Sequence, residues 1–134
     1  MIMELTKGLT GRTEITVTKE KTAATVGSGL LEVFATPMMI ALMEQTAAES
    51  VAPCLDAGST TVGTLVNVSH VSATPVGATV YCESTLTEVE GRKLTFSVKA
   101  YDNAGLIGEG THERFIVFSE KFMAKTNAKL NSYN

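Results

Sequence analysis

The sequence lacks the features that would tie it to nucleic acid, to a membrane or to an oxidising compartment. Its only cysteines, Cys54 and Cys82, form no spaced motif of the kind that frames disulfides or holds a metal. There is no basic patch: charges of both signs are scattered and sum to −3, which argues against a nucleic-acid partner. There is no acidic tail, no internal repeat and no low-complexity segment. No apolar run approaches the roughly 20 residues that cross a bilayer. The opening stretch, Met1 to Lys7, has no signal-peptide form. These absences point to a cytoplasmic protein with no membrane partner. The 134 residues suit one domain, 1–134, able to bury a core without disulfide or metal.

What is present is organised around Phe34 to Glu49. Thr36 reads as an N-cap and Pro37 as the first helical residue, where its missing N–H is harmless. Strong helix formers follow, and the spacing predicts a helix from 37 to about 52, ended by Pro53 and Gly58. Met38, Met39, Ile40, Ala41, Leu42 and Met43 cover its whole circumference, so it is expected to be buried all round. Glu44 follows directly. Either it lies on a solvent edge with Gln45, or it is a catalytic carboxylate held in a dry site.

The other segments alternate with period two, as strands do. Residues 13–19 place Ile15 and Val17 on one side. Residues 20–33 are broken by Gly27-Ser28-Gly29, read as a mobile connection. From Thr61 to Val71, the residues Val62, Thr64, Val66, Val68 and His70 share a mostly apolar face, which turns His70 toward the helix. Pro75-Val76-Gly77 reads as a turn. Val80, Cys82 and Leu86 then point inward, Glu90-Gly91 makes a hairpin, and Leu94, Phe96, Val98 and Ala100 point inward again. Asp102 to Gly105 makes another turn. A last strand spans about 106–118, with Gly108, Gly110, His112 and Arg114 on one face and Glu109, Thr111 and Glu113 on the other. Ser119 is placed to cap a short terminal helix with Phe122, Met123 and Leu130 as its apolar contacts. One strand, one long helix and four antiparallel strands make an α+β domain. A helix buried on all sides needs strong sheet curvature or a second protomer to cover it.

Six pieces, in order, carry a resemblance: Glu32 to Thr36, Leu42-Met43-Glu44, Val62-Gly63-Thr64, Val68 to Pro75, Val89 to Leu94, and Gly110 to Arg114. Over roughly residues 10–125 the chain resembles the hot-dog fold, a curved antiparallel sheet wrapped around one long central helix. More narrowly it is similar to the fluoroacetyl-CoA thioesterase-like group. The resemblance implies an acyl-CoA thioesterase acting on a short acyl thioester as a homodimer, with no metal and no cofactor beyond the coenzyme A of the substrate. It carries the group's catalytic Thr, Glu and His onto Thr36, Glu44 and His70. It also carries two residues that position the thioester or the site onto Gly63 and Arg114. The segment before Glu32, Gly27 to Leu31, has no aromatic residue to form a bulky lid, so fluoroacetyl specificity is not carried over.

The chemistry suits those residue types. Glu44 can attack the thioester to form an anhydride, or activate water as general base. His70, with an ordinary pKa near 6.5, can move a proton at neutral pH. Thr36 can hydrogen-bond Glu44 or the thioester, and N–H groups at the helix start can bind an oxyanion. Thr36 and Glu44 are eight residues apart, about 12 Å along an ideal helix, so they do not touch in a regular one. His112 reads as a structural residue of the last strand, the cysteines as inert, and the methionines as core filler. The alternative from another class is a non-catalytic acyl-CoA-binding or sensing module, because one fold hosts both. A hot-dog dehydratase would place an Asp and a His in a motif that is absent.

Overall fold

The computed structural model describes residues 4–133. Strand β1 (Thr10–Thr16) leads through a short helix α1 (Ala23–Val26) to the long helix α2 (Thr36–Val51). Strands β2 (Ser59–His70), β3 (Thr79–Glu90), β4 (Lys93–Asp102) and β5 (Gly105–Phe118) follow, then helix α3 (Ser119–Ala128). All neighbours pair antiparallel in the order β1-β3-β4-β5-β2, so β1 and β2 are the edges.

The alternation read from β3 and β4 is what the sheet buries. Val80, Cys82, Leu86, Leu94, Phe96, Val98 and Ala100 are fully enclosed against α2. The two turns fall where expected, with Gly91 at φ 61° in the β3–β4 hairpin. In the β4–β5 turn the Asp102 carboxylate accepts from the Ala104 N–H at 2.8 Å. Bulges between Gly63 and Leu65, Leu86 and Glu88, and Ala100 and Tyr101 bend the strands, which is how a sheet curves around a helix. The face of β5 that carries Gly108, His112 and Arg114 is the helix side. Gly108 is required there: a Cβ would meet Met39 Sδ at 2.5 Å and the Ser69 carbonyl at 2.8 Å.

Four expectations need correction. The first concerns α2, which buries one stripe, Met39, Leu42, Met43, Thr46, Ala47 and Val51, while Ala41 is exposed and Met38 and Ile40 are half-buried. A single sheet covers a single face, so the helix is not enclosed all round in one chain. The second concerns β2, where Val62, Thr64, Val66, Val68 and His70 do not share a face. The extra residue at the bulge changes parity, so Thr61 and Gly63 face inward before it and Val68 and His70 after it. The third is the terminal helix, which is present, but Phe118 precedes it at the cap position and Ser119 makes no side-chain cap. Phe122, Met123 and Leu130 are exposed because α3 lies on the edge of the fold, so Met123 is not core filler. The last is the stretch 20–33, which is tied down rather than loose. Gly27, at φ 85°, closes α1, Ala23 and Ala24 donate to the Val33 and Leu31 carbonyls, and Val33 bridges to Pro75.

Candidate active site

The site begins at the start of α2. Ala35, buried and extended, is the N-cap residue, and its carbonyl accepts from both the Met38 and Met39 N–H groups at 3.0 Å. Thr36 is therefore the first helical residue and not the cap, and its hydroxyl makes no bond to the helix. That hydroxyl lies 2.7 Å from His70 Nδ1. Pro37 follows in the first turn. It has no N–H, and those of Met38 and Met39 are taken by the Ala35 carbonyl.

His70 is the last residue of β2, half-buried, with Phe34 edge-on to its ring at 6.5 Å. Burial pushes its pKa below the ordinary value, partly opposed by the Ser72 backbone. Burial thus favours the neutral ring. Its Nε2 is buried and has no hydrogen-bond partner among the described residues. A cleft of about 280 Å³ opens over this pair, lined by Ala23, Ser28, Phe34, Thr36, His70 and Ser72 among others.

Glu44 lies two turns further along α2. It is not in a dry site: its side chain is 41% exposed. Its Oε2 is 3.5 Å from Nη1 of Arg114 and rests against the β2 backbone at Gly63, where a Cβ would collide with it. Arg114 is buried, and Thr61 holds it through Oγ1 (2.7 Å from Nε) and the carbonyl (2.9 Å from Nη2). Burial lowers the arginine's pKa and Glu44 opposes that shift; the guanidinium stays charged regardless. His112 also touches Arg114, with Nε2 3.2 Å from Nη1.

The five expected residues thus form two groups in one chain: Thr36 with His70, and Glu44 with Gly63 and Arg114. Among the described residues no hydrogen bond or ion pair joins Glu44 to Thr36 or His70, in keeping with eight residues of helical rise. Thr61 and His112 belong to the second group although the sequence reading did not place them there. His112 carried a signal, since it shares a strand face with Arg114 two residues on; Thr61 carried none. Both cysteines are free and buried, and burial pushes the Cys82 thiol up to about 11, which keeps it unreactive at neutral pH. Among the described residues no cluster of His, Cys, Asp or Glu could hold a metal ion, and no helix is long and apolar enough to cross a membrane.

A five-stranded curved sheet on one long helix, with Thr, His and Glu at the helix and the facing strand, defines a hot-dog-fold protein of the thioesterase superfamily. The family model described as fluoroacetyl-CoA-specific thioesterase matches residues 17–120, and the chain belongs to that family. It is 46% identical over 98 residues to the fluoroacetyl-CoA thioesterase of Streptantibioticus cattleyicolor, covering 73% of this chain and 70% of that one. A solved structure of the fluoroacetyl-CoA thioesterase FlK superposes with a TM-score of 0.91 at 37% identity, covering 95% of this chain and 98% of that one. A thioesterase-superfamily member from Thermus thermophilus superposes at 0.89 with 26% identity, covering 98% of each.

Proposed function

We propose that the chain is a thioester hydrolase acting on a short acyl-CoA, with Glu44, His70 and Thr36 as its catalytic residues and Gly63 and Arg114 positioning the carboxylate and substrate. The observation that carries this is the Thr36–His70 hydrogen bond at the mouth of the cleft. It takes the threonine hydroxyl away from capping and gives it to the histidine. Glu44 takes a proton from water as the water oxygen attacks the carbonyl carbon, or attacks itself to form an anhydride that water then opens. In the first route the C–S bond breaks as the proton that Glu44 took from water passes by way of His70 to the departing thiolate. In the second the thiolate departs first and takes its proton from solvent by way of His70, and water then opens the anhydride to free the acid and the Glu44 carboxylate. No metal and no separate cofactor enters these steps; coenzyme A is part of the substrate. The reading does not extend to fluoroacetyl specificity, because Gly27 to Leu31 offers no aromatic lid and Leu30 and Leu31 are exposed.

The working unit in this reading is a cytoplasmic homodimer of single-domain chains, 1–134. Edge strand β2 supports it: Leu65 and Val66 at its middle are 44% and 38% exposed, an unpaired edge that folded proteins cover. Two copies of β2 paired antiparallel about that middle bring His70 of one copy opposite the Thr61–Val62 region of the other, beside Gly63. Thr36 and His70 of one protomer then face Glu44 of the partner subunit, which closes the gap between the two groups.

The test is thiol release from a panel of short acyl-CoAs, with Glu44→Gln and His70→Ala run alongside. Turnover by the wild type, with a loss of about a hundredfold or more in each variant, is expected. Acyl-CoA binding without thiol release would make the chain a binding or sensing module instead.

A further inference from the structure

Arg114 is fixed on one side by Thr61, whereas its Nη1 has two neighbours, His112 Nε2 at 3.2 Å and Glu44 Oε2 at 3.5 Å. A guanidinium only donates, so His112 Nε2 accepts and carries no proton. The other ring nitrogen, Nδ1, is 2.8 Å from the Leu65 carbonyl. That oxygen only accepts, so Nδ1 carries the proton. Two contacts thus assign one neutral tautomer, with the ring almost fully buried and stacked on Phe96 at 6.2 Å. Leu65 is the first paired residue after the β2 bulge. The ring therefore links the bulge to the guanidinium.

We propose that His112 is a positioning residue: it anchors on the β2 bulge and, through its unprotonated Nε2, aims Arg114 at Glu44. The inference rests on the reading of Glu44 as the catalytic carboxylate. The charged groups around the ring are Arg114 and Glu113 from β5 and Glu44 from α2; β2 presents the Leu65 carbonyl and β4 presents Phe96. Glu113 is paired outward with Lys93. Burial lowers the histidine's pKa and Arg114 lowers it further, while the Leu65 carbonyl, Glu44 and Glu113 pull the other way. Protonation at Nε2 would set an N–H against the guanidinium and release Arg114 from its aim.

The experiment compares wild type, His112→Gln and His112→Ala by kcat and KM across pH 5–9, with NMR of the ring nitrogens and of Arg114. Glutamine keeps an acceptor near the place of Nε2 and cannot be protonated. His112→Ala is expected to lose kcat on the order of tenfold to a hundredfold, as a misaimed group does, with KM nearly unchanged. His112→Gln is expected to recover most of that loss and to hold its kcat further into acid. The NMR expectation is a neutral Nδ1–H ring and a protected Arg114 side-chain signal that survives in His112→Gln and disappears in His112→Ala. An Nε2–H ring, an unchanged kcat in His112→Ala, or equal loss in both variants overturns the proposal. If the wild type releases no thiol at all, the functional reading falls, and the ring tautomer and Arg114 signal still decide whether His112 orients Arg114.

Discussion

Gly63 shows how a single missing side chain holds the site open. A Cβ there would strike the Glu44 carboxylate, which is the far end of a flexible side chain and can swing away. The same Cβ would sit 3.3 Å from His112 Cε1, a tight contact with a buried ring, so Gly63→Ala is expected to fold with its melting temperature lowered by about a few degrees. Its kcat should fall by about tenfold or more, because the carboxylate is displaced by an ångström or so. Steady-state kinetics beside a thermal melt separates the two effects. His70 and His112 set a pH dependence. Both have a folded pKa below the unfolded value of about 6.5, chiefly through burial. As pH falls through 6.5 the unfolded chain takes up protons that the folded chain refuses, so stability is lost on acidification and regained as pH rises. Urea midpoints measured from pH 7.5 down to 5 should fall, and less steeply in His112→Gln. A slope unchanged in that variant would remove His112 from the account. Both histidines were visible as strand residues; which of their nitrogens carries a proton was not, because that depends on Thr36, Leu65 and Arg114 brought together from distant positions.

At the scale of elements, the strands were legible wherever period two ran unbroken. β3 and β4 were read correctly through Ala100 because their inward residues, apart from Ser84, are apolar and most of their outward ones polar. β2 was misread at Val62 and Thr64, because a bulge adds one residue without changing composition and puts the side chains on its two sides out of step, while Val68 and His70 beyond it face inward as expected. Helix α3 was legible as a helix but not in its packing. Its Lys121 and Lys125 line a shallow cleft with Arg92 from the β3–β4 hairpin and the rings of Phe118 and Phe122. That cleft lies at the end of β2 away from His70. In the proposed dimer the antiparallel partner brings its own copy of the cleft toward His70, and there three cations with no carboxylate among the lining residues would suit the phosphates of coenzyme A. Lys121→Glu combined with Lys125→Glu should raise KM for an acyl-CoA by about tenfold, the scale of one or two lost exposed ion pairs. The same pair should leave KM for a truncated acyl thioester without the nucleotide unchanged. Equal KM shifts for both substrates would count against a nucleotide contact there.

At the scale of the whole molecule, the separation of Glu44 from Thr36 and His70 becomes a statement about assembly. If the site is built from two chains, mixed dimers of Glu44→Gln and His70→Ala contain one complete site, with His70 from the first chain and Glu44 from the second. Co-refolding the two inactive variants should then restore about a quarter of the wild-type activity, since half of the dimers are mixed and each has one intact site. A mixture that stays inactive would place the whole site within one chain.

By itself the sequence determined the order of the elements, the polarity of most strand faces and the helix that carries Glu44. Those follow from local rules: periodicity, capping and turn chemistry act within a few residues. Only the tertiary structure decided that Thr36 serves His70 and not the helix cap. It also decided that Glu44 is half-exposed beside Arg114, that His112 joins that pair, and that one face of α2 is left uncovered. Each of these is a contact between residues far apart in the chain, set by a bulge, a register and the approach of a strand to a helix, and no local pattern records such a meeting.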